Sequence, residues 1–325
     1  MLPMTALLTL ATAFTFKVHT VDRQDLQDCH SAPHERRVAA CTRIVEDRKV
    51  WAETRAYALS ERGISRQFNR DFDGALADYT EAIRIAPGYP YPYYRRGWLY
   101  QLDSRFEESV ADFNAAIKIE PTNALYLSMR GLSYHLMADR AHAMADFEQA
   151  IRLDREMGDA YLYRGHAYLS EDDNDRAIAD LSEAIRFDPQ EPRAYAGRAK
   201  AYQRKGQHDL AVADFSELVR LDPLSFSNFA ARGDSYREQG KFDLAIADYT
   251  EAIRIGPFVP GLYHDRGVAY RLKGDREHAI ADFREVIRRT PLASMESLNE
   301  LRAMGVEAPK SEQEAFKQGV LNLLK

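Results

Sequence analysis

The sequence predicts an all-α protein, an α-solenoid of stacked antiparallel helix pairs. Three observations carry that expectation. A pattern of 34 residues recurs seven times in phase between Ala56 and Ala293 with no insertion. Within it, small and aromatic residues hold fixed places, and prolines recur near its end. Hydrophobic residues make up 45% of the chain and charged residues 29%, which suits a buried core and argues against wholesale disorder. No apolar run reaches the roughly 18 to 20 residues that span a bilayer.

The chain opens on MLPMTALLTLATAFTF, sixteen residues without a charge, ended by Lys17. A secretory signal has such a stretch, and Ala11-Thr12-Ala13 would serve as its small-residue cleavage site. No Lys or Arg precedes the apolar part, so an apolar N-terminal cap and an unstructured tail are also open readings of residues 1–21. The signal reading places the protein outside the cytoplasm, periplasmic or secreted; without it the protein is cytoplasmic. Cys29 and Cys41 follow, and no other cysteine occurs. An isolated close pair after a signal-like stretch suits a disulfide in an oxidising compartment, with two reduced buried thiols as the other reading. Residues 22–55 read as a capping half-repeat. His34 to Val45 matches the second helix of a unit, with Cys41 at the place where other units put an aromatic.

The seven units span 56–89, 90–123, 124–157, 158–191, 192–225, 226–259 and 260–293. Their eighth place is Gly in six and Ala199 in the other; their twentieth is Ala in six and Ser109 in the other. Small residues there let two helix backbones approach closely. The fourth, eleventh and twenty-fourth places, mostly aromatic, fill the space between the two helices. Tyr161, Tyr168 and Leu181 are an example. Pro87, Pro121 and Pro189 end second helices. Gly206, Gly240 and Gly274 mark turns inside later units, where positive φ carries no steric penalty. A lone helix pair cannot cover its apolar face, so the units must stack. After Ala293, residues 294–325 read as C-terminal capping helices. Met295, Leu298, Leu301 and Met304 form one stripe, Gly305 and Pro309 break it, and Phe316, Val320, Leu321 and Leu324 form a second.

On these residues the chain resembles the tetratricopeptide repeat family, over 238 of its 325 residues. The resemblance implies a right-handed superhelix, and the N-terminal cap is similar to exported bacterial members. One place departs from the family. The residue before the glycine, usually apolar, is Arg62, Arg96, Arg130, Arg164, Arg198, Arg232 and Arg266. Sixteen residues further on stand Asp78, Asp112, Asp146, Asp180, Asp214, Asp248 and Asp282. Antiparallel packing can level the two places, so an Arg–Asp pair is expected to clamp every unit. Arg suits this better than Lys, because its planar fork meets a carboxylate with two parallel hydrogen bonds.

Chemistry-bearing motifs are absent: no GxxxxGK[ST], HExxH or GxSxG occurs. His30 and His34 form the one close histidine pair, a weak zinc signal, and the acidic run from Glu171 to Asp175 lacks the Gly and closing Glu of a calcium loop. No enzyme activity, cofactor or metal is expected. The formal charge of −6 argues against a sequence-independent nucleic-acid binder. In the family the first helix of each unit lines a concave groove that takes peptides. Carried over, the resemblance makes Tyr91, Tyr94, Arg95, Trp98, Met129, Leu132, His135, Tyr163 and His166 the partner-binding groove. Beyond them the lining turns charged, with Lys200, Arg204, Asp234, Arg237, Glu238, His264, Asp265 and Arg271. The Lys/Asn clamp for chaperone C-termini is missing. The expected function is a non-enzymatic scaffold holding a peptide or protein segment. The alternative is a structural or assembly component of the cell envelope acting through end faces or convex surface.

Overall fold

The computed structural model describes residues 21–290 and 295–307. Among them there are seventeen helices and no strand. The chain divides into two compact units, one up to Tyr163 and one from Arg164.

The first unit begins with α1 (Arg23–Ser31) and α2 (His34–Glu46). Three helix pairs follow: α3 (Ala52–Phe68) with α4 (Phe72–Ile85), α5 (Tyr91–Leu102) with α6 (Phe106–Ile119), and α7 (Ala124–Leu136) with α8 (Arg140–Leu153). The start of α9 (Gly158–Ser170) completes it. The second unit holds the rest of α9 with α10 (Asn174–Phe187), then α11 (Pro192–Arg204) with α12 (His208–Leu221) and α13 (Phe226–Glu238) with α14 (Phe242–Ile255). It ends with α15 (Pro260–Lys273), α16 (Arg276–Arg289) and α17 (Met295–Ala303). Within each unit helices pack on their neighbours in sequence, and the first helices α3 and α5, α5 and α7, and α13 and α15 also touch.

Close approach explains the small eighth place. A Cβ on Gly63 would lie 2.7 Å from the Tyr79 ring, and one on Gly131 would lie 2.7 Å from Phe147. Tyr79, Phe113, Phe147, Tyr249 and Phe283 are fully buried between their helices. The prolines fall just beyond second helices: α4 stops at Ile85 before Pro87, and α10 at Phe187 before Pro189.

The Arg and Asp places meet in all seven pairs. Each guanidinium donates from Nε and Nη2 to both oxygens of one carboxylate, from 2.6 Å (Arg62–Asp78) to 2.9 Å (Arg266–Asp282). All seven aspartates are buried. In six of the seven the third nitrogen, Nη1, reaches back to the preceding second helix. It meets Thr42 from Arg62, Thr80 from Arg96, Asn114 from Arg130, Ser182 from Arg198, Ser216 from Arg232 and Thr250 from Arg266. The clamp therefore ties consecutive pairs together as well as closing each one. Arg66, which replaces the usual Tyr, adds a second guanidinium 2.9 Å from Asp78.

Two expectations need correction. Residues 22–55 hold two helices before α3 begins, not half a repeat. The first, α1, is only nine residues long, and it is held by bonds its own composition does not announce. Cys29 is bonded to Cys41 with the Cα atoms 4.8 Å apart, Arg43 donates to Asp25, and Arg36 donates to Asp28 at 3.0 Å. The disulfide sits in a cluster with Ala40, Ile44, Val50 and Ala58. At the other end, Leu298 and Leu301 seal α16, joined by Met304, but Met295 is exposed and outside the stripe. Pro309 and the stripe from Phe316 to Leu324 lie outside the described residues, as do residues 1–20 with the signal-like stretch.

Candidate functional site

The groove residues of the first unit come from α5, α7 and the start of α9. Tyr94 is the hub. Its ring centroid lies 6.0 Å from that of Tyr91, 5.5 Å from Tyr126 and 6.3 Å from Phe113. Four residues on, one turn along the same face, Trp98 lies under the Arg95 guanidinium at 5.4 Å. Trp98 also packs against the buried cluster of Ala75, Tyr79 and Leu99. Arg95 donates at 2.5 Å to Gln67, which also accepts from the Tyr79 hydroxyl at 2.7 Å. Gln101 donates to the Met129 carbonyl and to the Ser133 hydroxyl, fixing α5 against α7.

Tyr91, Tyr94, Arg95, Trp98, Leu132, His135 and Tyr163 are all half-buried, with one side still facing solvent. Met129 differs. It is 5% exposed, and its sulfur lies 4.0 Å from the Tyr163 hydroxyl. Its unbranched thioether fills the gap between α7 and α9, so it supports the surface instead of lining it. His166 belongs to the second unit, where its ring packs at 3.0 Å from the place a Gly197 Cβ would occupy.

Glu61, one repeat before Arg95, went unmarked in the sequence. Burial pushes its carboxyl up to about 7, against the pull of Arg37 and Arg95. The signal was its place: position six of a unit, facing the next first helix, is also where Arg95, Met129 and Tyr163 stand. Desolvation likewise raises the hydroxyls of Tyr57, Tyr91 and Tyr94.

In the second unit the charged lining is mostly spent on itself. Tyr249 donates to Asp234 at 2.7 Å, and the Arg237 guanidinium lies 3.3 Å from Asp234 and 3.9 Å from Asp265. Burial first, then the Asp234 charge, pushes Asp265 up to about 6. Arg204 meets Asp172 at 2.7 Å, and Arg271 meets Glu300 at 2.8 Å. Among the described residues no group of three or more His, Cys, Asp or Glu is arranged to hold a metal, and no helix is long and apolar enough to cross a membrane.

Stacked helix pairs with an open aromatic face define a helical-repeat scaffold, a class whose usual work is holding other proteins without catalysis. The chain belongs to the tetratricopeptide repeat family. The family's repeat model matches residues 60–124, 195–260 and 230–294, a second tetratricopeptide model matches 124–157, and a TPR repeat model matches 165–206. Among solved structures, the C-terminal part of a TPR repeat-containing protein from Cytophaga hutchinsonii is 16% identical. The match covers 74% of this chain and 98% of that one, with a TM-score of 0.58. MamA is 21% identical over 52% of this chain and 92% of its own, with a TM-score of 0.50. These likenesses bear on fold alone. No curated protein matches the chain.

Proposed function

We propose that the protein is a non-enzymatic scaffold that holds a peptide or protein segment against the aromatic face of its first unit. One observation carries this reading: Tyr91, Tyr94, Arg95, Trp98, Leu132 and His135 bring three aromatic rings, a guanidinium and an imidazole together, half-open, on the adjoining first helices α5 and α7. Large, stiff side chains with a polar tip gain much contact area for little lost entropy, which is why they dominate binding energies. We infer further that it works outside the cytoplasm; the Cys29–Cys41 bond supports an oxidising compartment.

The test is selection of a binding peptide from a random library, followed by anisotropy with single variants. Leu132→Ala and His135→Ala should each weaken capture about tenfold while melting within a few degrees of wild type. Unchanged affinity in both variants overturns the groove reading. Concentration-dependent oligomers in light scattering without any partner favour the assembly role instead.

A further inference from the structure

A second surface runs along the turn edge of the first unit, one helical turn beyond the groove residues Trp98 and Leu132. The last residues of its first helices, Phe68, Leu102 and Leu136, stand 34 residues apart and are 68%, 58% and 49% exposed. Phe72 and Met137 widen the row. The same place in the second unit is Ser170, Arg204 and Glu238, and only Leu272 is apolar. Exposed apolar side chains recurring in line are unlike the scattered ones that every surface carries.

Charge tells what covers the row. The three segments 68–74, 102–108 and 136–142 contain six carboxylates, Asp71, Asp73, Asp103, Glu107, Glu108 and Asp139, against three guanidiniums. Arg105 is already engaged with Glu108 at 2.9 Å. The edge thus combines an exposed apolar row with a local excess of three negative charges. Spacing adds a second constraint. First helices of neighbouring pairs touch, which sets consecutive rungs about 8–10 Å apart. Seven residues of α-helix rise about 10.5 Å, so apolar residues at heptad spacing on a partner helix would fall on successive rungs.

We propose that this edge docks an amphipathic helix of another protein, with an apolar heptad stripe and Lys or Arg along both margins. Three rungs call for a helix of about fifteen residues. The probe is a labelled 18-residue helical peptide with Leu at heptad spacing and Lys on both sides, beside a twin with Glu in place of Lys. Wild-type protein should bind the Lys peptide in fluorescence anisotropy, and the Glu twin at least tenfold more weakly. A Leu102→Ser, Leu136→Ser double variant should lose at least tenfold and keep its circular dichroism and melting point. The groove variants Leu132→Ala and His135→Ala should bind it unchanged, which separates this surface from the groove.

No binding of the Lys peptide, equal binding of the twin, or full binding by the double variant overturns the proposal. So does loss of binding in the groove variants. Self-association that disappears in the double variant also overturns it, by making a second copy the occupant.

Discussion

The two units are built on the same core pattern and differ at their turns. Every inner turn needs a residue in the left-handed region. In the second unit Gly206, Gly240 and Gly274 take it, at φ of 69°, 72° and 90°, with Asp172 the exception at 58°. In the first unit Arg70, Ser104 and Ala138 do so at 62°, 57° and 60°, at a cost of about 1–2 kcal/mol each relative to glycine. The neighbouring side chains diverge in parallel. Lys205 meets Asp175, Lys241 meets Asp209 at 3.3 Å, and Lys273 meets Asp243 at 2.6 Å, whereas the first unit sets Phe68, Leu102 and Leu136 at that edge. The repeat's interior is dictated by packing. Its edge is free to diverge: the first unit carries a strained non-glycine residue at all three turns and the second only at Asp172. Exposed apolar residues sit at different places, Phe68, Leu102 and Leu136 in the first unit and Leu210, Leu244 and Leu272 in the second.

The largest expected effect tests whether the cores really match. Asp112→Ala in the first unit and Asp214→Ala in the second should each cost up to about 3 kcal/mol, since each leaves a half-buried guanidinium without its carboxylate. Urea melts giving similar losses keep the core uniform; a loss under about 0.5 kcal/mol in one of them breaks the equivalence. Next comes the disulfide, present only in the first unit. Breaking its 12-residue loop with Cys29→Ser and Cys41→Ser should cost roughly 3 kcal/mol. Hydrogen exchange should then speed up in α1 and α2 and stay unchanged in α13 to α16.

A pH titration sharpens the contrast. Glu61 holds its proton more tightly folded than unfolded, so its contribution is full below about pH 4 and is lost as pH rises through about 7. Asp265 does the same in the second unit, its contribution full below the usual carboxylate range and lost as pH rises through about 6. Glu61→Gln should therefore match wild type near pH 4 and exceed it near pH 8, by on the order of 1–3 kcal/mol. Equal stability at both pH values would refute the burial argument. The smallest effect is at the turns: Ala138→Gly should gain up to about 1 kcal/mol and Gly240→Ala lose about 1–2, read as opposite shifts in melting temperature.

Much of this was legible in the sequence because repetition averages over local accidents. Seven arginines and seven aspartates at constant separation give the clamp, since only a shared geometry keeps such a spacing. The third contact was harder to see. Its acceptors Thr42, Thr80, Asn114, Ser182, Ser216 and Thr250 share a place but not a residue type, because a guanidinium N–H needs only an oxygen within reach. The helix α1 left no periodic trace, since a bond from Cys29 replaces the apolar stripe that would have announced it. Within the groove, residue type identified the aromatic face, but burial of Met129 depends on where its neighbours Tyr163 and Gln101 lie, which one helix cannot reveal.

The backward reach of Nη1 also limits how the gene can change length. Six of the guanidiniums join three helices, the two of their own pair and the second helix before it, with partners on both sides in sequence. An insertion or deletion inside a helix would swing one of those partners off its face, whereas a connection can absorb one, as between Thr42 and Arg62, 20 residues apart where the other pairs have 16. Loss or duplication of a whole pair by unequal recombination hands each arginine an equivalent aspartate and an equivalent oxygen. The chain can therefore lengthen or shorten in quanta of one helix pair, each junction arriving already cross-linked to its neighbour.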